Sequence, residues 1–256
     1  MLISRRLSAT LSALIAVASM PILAGAEPCS ELADRWPAGP ADAVFTRSGR
    51  AYFGSGTVFT IGDLRNPASP VVLAEIDLGL LIHDIVVDDE TAWVAAGNMV
   101  NEPGAVFRID VENPAAPEVV AAWETPLPAR SIAVGDDSVF AGLVDPIDPD
   151  HGMLLELAPG ALPSSPPRIT SVEIGGWPER LVLDEETLWV AELGTGARAF
   201  DVDEPRLLLE LVHLAGDVRD LEAEDHLLYL AEWRDDEPDV LRILGVEDPS
   251  APASLA

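Results

Sequence analysis

From about residue 41 onward the chain is written in short apolar runs, each closed within a few positions by acids, glycine, asparagine or proline. Leu81–Pro117 is the clearest example. Asp84-Ile85-Val86-Val87 is short and β-branched, Asp88-Asp89-Glu90 is a polar break, and Thr91–Ala95 and Ala105–Asp110 resume with strand formers. Asn113-Pro114-Ala115-Ala116-Pro117 then stops the run, because proline offers no N–H to a sheet ladder. No stretch carries a helical period of useful length. The pattern predicts short antiparallel strands throughout.

The same unit returns. Each copy has one aromatic residue in its second strand: Tyr52, Trp93, Phe140, Trp189 and Tyr229, spaced 41, 47, 49 and 40 residues apart. Eight positions earlier stands an apolar marker, Val44, Ile85, Ile132, Leu181 or Leu221. Twelve positions before each marker stands another apolar residue: Leu32, Leu73, Val120, Ile169 and Leu209. An Asn/Asp-Pro-x-x-Pro turn recurs at Asn66–Pro70, Asn113–Pro117 and Asp248–Pro252, with proline-rich remnants at Pro163–Pro167 and Pro205. A repeat of this length built from strands predicts an all-β, five-bladed β-propeller. Leu255 falls at the repeat position that Leu32 also occupies. The expected ring therefore has blade repeats over 41–256, with the last blade closed by an N-terminal strand at about 32–36.

Residues 1–26 have the layout of a signal peptide: Arg5-Arg6, an apolar run from Leu7 to Leu23, then Ala24-Gly25-Ala26. A single domain at 27–256 would remain, exported to the periplasm, cell surface or medium, with no membrane insertion after cleavage. Cys29 is the sole cysteine, so no internal disulfide forms.

Charge narrows the partners. The formal net charge is −29, and all 15 basic side chains are arginines. Such a chain repels nucleic acid and anionic membranes, and lacks the lysine of Schiff-base or P-loop chemistry. It favours cations or basic partners.

The run Trp93-Val94-Ala95 followed by Val106-Phe107-Arg108-Ile109-Asp110-Val111-Glu112-Asn113-Pro114-Ala115-Ala116-Pro117 resembles the LVIVD repeat of bacterial exported β-propellers. Val58–Ile61 and Leu241–Leu244 resemble its third strand. The YVTN-type propeller repeat is a neighbouring resemblance, but the Asn-Pro-x-x-Pro turn fits LVIVD better. The resemblance implies propeller architecture and an exported, often cell-surface setting. The family carries no agreed catalytic residues, so none transfer.

In a propeller the loops entering each first strand gather at the mouth of the central channel. Here they bear Asp42, His83, Arg130, Glu179 and Arg219 two residues before the marker, and Asp84, Arg180 and Asp220 one before it. Mixed charges converging from several blades make a ligand or partner site, or else pair with one another and keep the opening wet. In the third repeat, Asp145, Asp148 and Asp150 lie in a loop with His151 and Gly152 and are candidate oxygen ligands for Ca²⁺. Their spacing is not that of an EF-hand, and a solvated acidic loop is the simpler reading. Asp88-Asp89-Glu90, Asp136-Asp137 and Asp184-Glu185-Glu186 fall at one repeated hairpin and read as turn residues.

Enzyme signatures are missing: the four histidines form no i, i+4 pair, and no G-x-S-x-G elbow occurs. The expected function is a non-catalytic exported propeller that binds a protein or envelope component through its loop face, with no cofactor required. The alternative is a propeller hydrolase or lyase working at the charged channel mouth, Ca²⁺-assisted or not.

Overall fold

A computed structural model describes residues 41–98, 103–136, 138–158, 168–202, 208–234 and 238–255. The expected signal peptide at 1–26, Cys29 and the expected closing strand at 32–36 lie outside the described residues. Within them the chain is all-β, with no helix, and is built as five antiparallel four-stranded sheets in sequence order.

Sheet 1 holds β1 (Ala43–Arg47), β2 (Arg50–Ser55), β3 (Val58–Asp63) and β4 (Val71–Asp77). Sheet 2 holds β5 (Ile82–Asp88), β6 (Thr91–Gly97), β7 (Gly104–Asp110) and β8 (Glu118–Thr125). Sheet 3 holds β9 (Ala129–Val134), β10 (Val139–Val144), β11 (Gly152–Ala158) and β12 (Arg168–Ile174). Sheet 4 holds β13 (Trp177–Asp184), β14 (Thr187–Leu193), β15 (Gly196–Asp201) and β16 (Leu209–Ala215). Sheet 5 holds β17 (Val218–Glu224), β18 (Leu227–Glu232), β19 (Val240–Gly245) and the two-residue β20 (Ala253–Ser254).

The repeat is visible in the backbone. Every marker pairs with the residue after its aromatic: Val44 with Phe53, Ile85 with Val94, Ile132 with Ala141, Leu181 with Val190, and Leu221 with Leu230. The acidic hairpins are turns. Asp89, Glu185 and Asp225 take left-handed φ values of 46°, 51° and 52°, as tight connections between twisted strands demand. In the Asx-Pro turns the N–H groups of Ser69, Ala116 and Ala251 donate to the carbonyls of Asn66, Asn113 and Asp248, with proline fixing φ at the second position.

Consecutive sheets pack face to face through four apolar layers. Tyr52, Phe59 and Ile61 meet Ile82 and Ile85 between sheets 1 and 2, and Trp93 and Val106 meet Ile132 between sheets 2 and 3. Phe140 and Leu154 meet Leu181 and Phe200 between sheets 3 and 4, and Trp189 meets Leu221 and Leu230 between sheets 4 and 5. The repeated aromatic thus faces the next sheet each time, where a flat side chain fills the widening gap. Among the described residues no comparable packing joins sheet 5 back to sheet 1. On the outer edge of sheet 5, β20 pairs only with Leu244 and Gly245, and Val240–Arg242 have no fourth-strand partner among the described residues. This repeated-sheet arrangement is compatible with a β-propeller.

Candidate functional site

A repeated irregularity positions the charged side chains. At the start of each first strand in sheets 2 to 5 the register slips: between Ile82 and Asp84, opposite Gly142 and Leu143, between Pro178 and Arg180, and between Val218 and Asp220. The extra residues are His83, Arg130, Glu179 and Arg219. A bulge turns its spare residue out of the ladder and re-aims its side chain. In sheet 1 the corresponding Asp42 lies just before β1, its N–H donating to the Gly54 carbonyl at 3.2 Å.

His83, Asp84, Arg130, Glu179 and Arg180 line one cavity of about 480 Å³ together with Asp42. Four sheets contribute to it. The Nε and Nη2 groups of Arg130 both donate to Glu179 Oε2 at 3.0 Å, and Arg130 Nη1 reaches His83 Nδ1 at 3.4 Å. His83 Nε2 lies 2.9 Å from the Gly97 carbonyl. A carbonyl only accepts, so Nε2 carries the proton, and Nδ1 accepts from Arg130. Burial, assisted by the Arg130 charge and opposed by the Gly97 carbonyl, holds the imidazole pKa below its ordinary value.

Asp84 ties two sheets together. Its Oδ1 accepts the Ile85 N–H at 2.9 Å and its Oδ2 accepts the Ile132 N–H of sheet 3 at 3.0 Å. Burial pushes its pKa up, against those two N–H groups and the charges of Arg180 and Arg130. In sheet 3 the matching residue, Ser131, is fully buried and donates from Oγ to the Pro178 carbonyl of sheet 4 at 2.6 Å.

The other two expected mouth residues stand apart. Asp220 is exposed, with Oδ1 accepting the Leu221 N–H at 3.0 Å and lying 3.8 Å from Arg180 Nε. Arg219 does not line the cavity; it pairs with Asp217 at 3.0 Å and stacks over Trp233.

The acidic loop of sheet 3 does not gather its carboxylates around one point. Asp145 Oδ1 accepts the N–H groups of Ile147 and Asp148, and its Oδ2 lies 3.5 Å from His151. Asp148 accepts the N–H of Asp150 instead of facing Asp145. The Ile147 N–H, more than the others, holds the Asp145 pKa below its usual range. Among the described residues no cluster of three or more His, Cys, Asp or Glu side chains is arranged to hold a metal.

Two ion pairs with buried glutamates lie away from these residues, and only that of Glu192 carried no sequence expectation, since the sequence places Glu232 in the acidic loop of the fifth repeat. Glu192, fully buried, lies 2.7 Å from Arg198, accepts from Thr195 Oγ at 2.8 Å, and has its pKa raised chiefly by burial. Glu232, nearly buried, lies 2.8 Å from Arg242. Both glutamates sit three residues after the repeated aromatic, the one signal that links them.

No protein-family model matches the chain, and no curated protein matches it. Among solved structures it is similar to the crystal structure of a computationally designed protein, Ika8, with a TM-score of 0.58 at 7% identity, over 80% of this chain. The chain spans 58% of the length of that designed protein. At this identity the likeness bears on the fold alone. No helix among the described residues is long and apolar enough to cross a membrane.

Proposed function

We propose that this chain is an exported, non-catalytic β-propeller of five blades that binds a protein or other envelope partner through the face bearing the bulged residues. The observation that carries the reading is the cavity at which Asp42, His83, Asp84, Arg130, Glu179 and Arg180 converge from four sheets. Concave sites with convergent polar groups are where ligands bind. The five sequential sheets, the aromatics buried between consecutive sheets and the Asx-Pro turns support the propeller, and with it the LVIVD-type repeat.

The bonding pattern favours binding over catalysis. Both ring nitrogens of His83, both carboxylate oxygens of Asp84 and the Nε, Nη1 and Nη2 groups of Arg130 are already engaged by protein atoms. A proton relay needs groups that are free to exchange partners with substrate. A fixed charged rim suits recognition, and the acidic chain as a whole favours a partner with a basic contact surface.

Capture of partners from an envelope extract tests this. A triple variant replacing Arg130, Arg180 and Arg219 by alanine, with unchanged circular dichroism, is expected to lose what the native chain retains. Equal capture by both would move the binding surface elsewhere.

A further inference from the structure

The charges lining the shared cavity do not all find opposites within it. Arg130 donates twice to Glu179 Oε2 and turns Nη1 to His83, so its charge is matched in the wall. Arg180 has its own acids in sheet 5, Asp220 at 3.8 Å and Glu222 at 3.5 Å. Both oxygens of Asp84 accept backbone N–H groups. What remains is acidic. The Asp42 carboxylate has neither an ion pair nor a side-chain hydrogen bond among the described residues, and Glu179 Oε1 has no donor among them.

These two acceptors share a neighbour. Asp42 and Glu179 both lie close enough to His83 for their charges to act on its ring. The ring itself adds no competing cation at neutral pH, because burial, together with the Arg130 charge, keeps its pKa below the ordinary 6.5. Asp42 stands just before β1 and Glu179 in the bulge of β13, so a group held by both would bridge sheets 1 and 4. Beside Asp42, Ala43 and Val44 make the lining apolar. A basic side chain has the matching profile, a cationic head on an aliphatic stem. Guanidinium fits better than ammonium, since its planar set of five N–H donors can serve two acceptors at once.

We propose that the cavity receives one basic side chain of a protein partner, arginine in preference to lysine, with its head on Asp42 and Glu179 Oε1 and its stem on Ala43 and Val44. The inference rests on the binding reading above and names what the partner presents there. Arg130 is then a positioning residue: by holding Glu179 through Oε2 it leaves Oε1 to the incoming donor. Its loss weakens capture of a basic group even though it removes a like charge.

Titration of the intact chain with small probes at pH 7, followed at the His83 imidazole proton resonance, tests this. Acetyl-arginine amide is expected to shift the resonance saturably, and acetyl-citrulline amide, its neutral isostere, to bind at least about fivefold more weakly. Asp42→Asn should weaken the arginine probe by a similar factor. Glu179→Gln, which keeps an acceptor for Arg130, should do the same and serves if the first variant does not fold. Equal binding of the citrulline probe, or no saturable shift with either, would overturn the inference. So would a preference for acetyl-glutamate amide, which would make Arg180 the anchor. Partner capture from an envelope extract without any response to the arginine probe would refute this inference alone. A probe response without any captured partner would instead refute the protein-partner reading.

Discussion

Asp84 Oδ2 accepts the backbone N–H of Ile132 at 3.0 Å, and this bond joins the first strands of sheets 2 and 3. Ile132 is fully buried, so its N–H has no water to fall back on. Asp84→Ala is expected to cost about 1–3 kcal/mol, the usual penalty for a buried donor left without a partner. Asp84→Asn retains an acceptor and should cost less. Urea unfolding of the two variants checks the order, and equal losses would mean that the carboxylate acts through its charge instead.

The aromatic layers predict larger losses. Trp189 is 1% exposed between sheets 4 and 5, and truncation to alanine is expected to cost about 3–5 kcal/mol. Trp93, stacked on Trp123 between sheets 2 and 3, should behave alike. A loss below about 1 kcal/mol at both positions would contradict the packing register.

Arg198 compensates the buried carboxylate of Glu192. Removing only the arginine strands that charge, so Arg198→Ala is expected to cost about 3–5 kcal/mol near pH 7. The Glu192 pKa is already raised by burial and should rise further without its partner. A raised acid adds stability below its unfolded pKa and loses it as the pH climbs through the folded value. The variant's deficit should therefore be smaller at pH 5 than at pH 7, as read by denaturant unfolding at both.

His83 gives the opposite dependence. Its folded pKa lies below the ordinary 6.5, so neutral His83 contributes fully above that value and the contribution fades as the pH falls through the folded pKa. Relief of repulsion among the many carboxylates strengthens the fold over the same interval, so only the difference from a variant isolates the effect. The stability advantage of the native chain over His83→Gln is expected to shrink between pH 7.5 and pH 5.5. A constant difference would mean that His83 keeps one protonation state throughout.

Much of the fold was legible because the repeat is written in residues that pack. The aromatic and the marker eight positions before it keep one pairing register in all five sheets, and four aromatic–marker contacts fill the layers between consecutive sheets. The acids at Asp89 and Glu185 were readable as turns because a two-residue connection needs the left-handed backbone found there. The site was legible as a set of positions and not as a geometry. Nothing in the residue types of His83, Arg130, Glu179 and Arg219 announces a bulge, because the slip arises from pairing with the second strand. Nor could the sequence say that Arg219 would turn to Asp217 and Trp233, since no spacing in the repeat links those three residues. The buried Glu192 was lost in a chain with 44 acids, where no single carboxylate stands out.

The most direct test of the proposed binding face is a hydrogen-exchange footprint of the chain with a captured envelope partner bound. Protection is expected over Asp42, His83-Asp84, Arg130-Ser131 and Glu179-Arg180, the segments around the shared cavity. Protection confined to the outer strands β4, β8 and β16, with the cavity segments unchanged, would contradict the account.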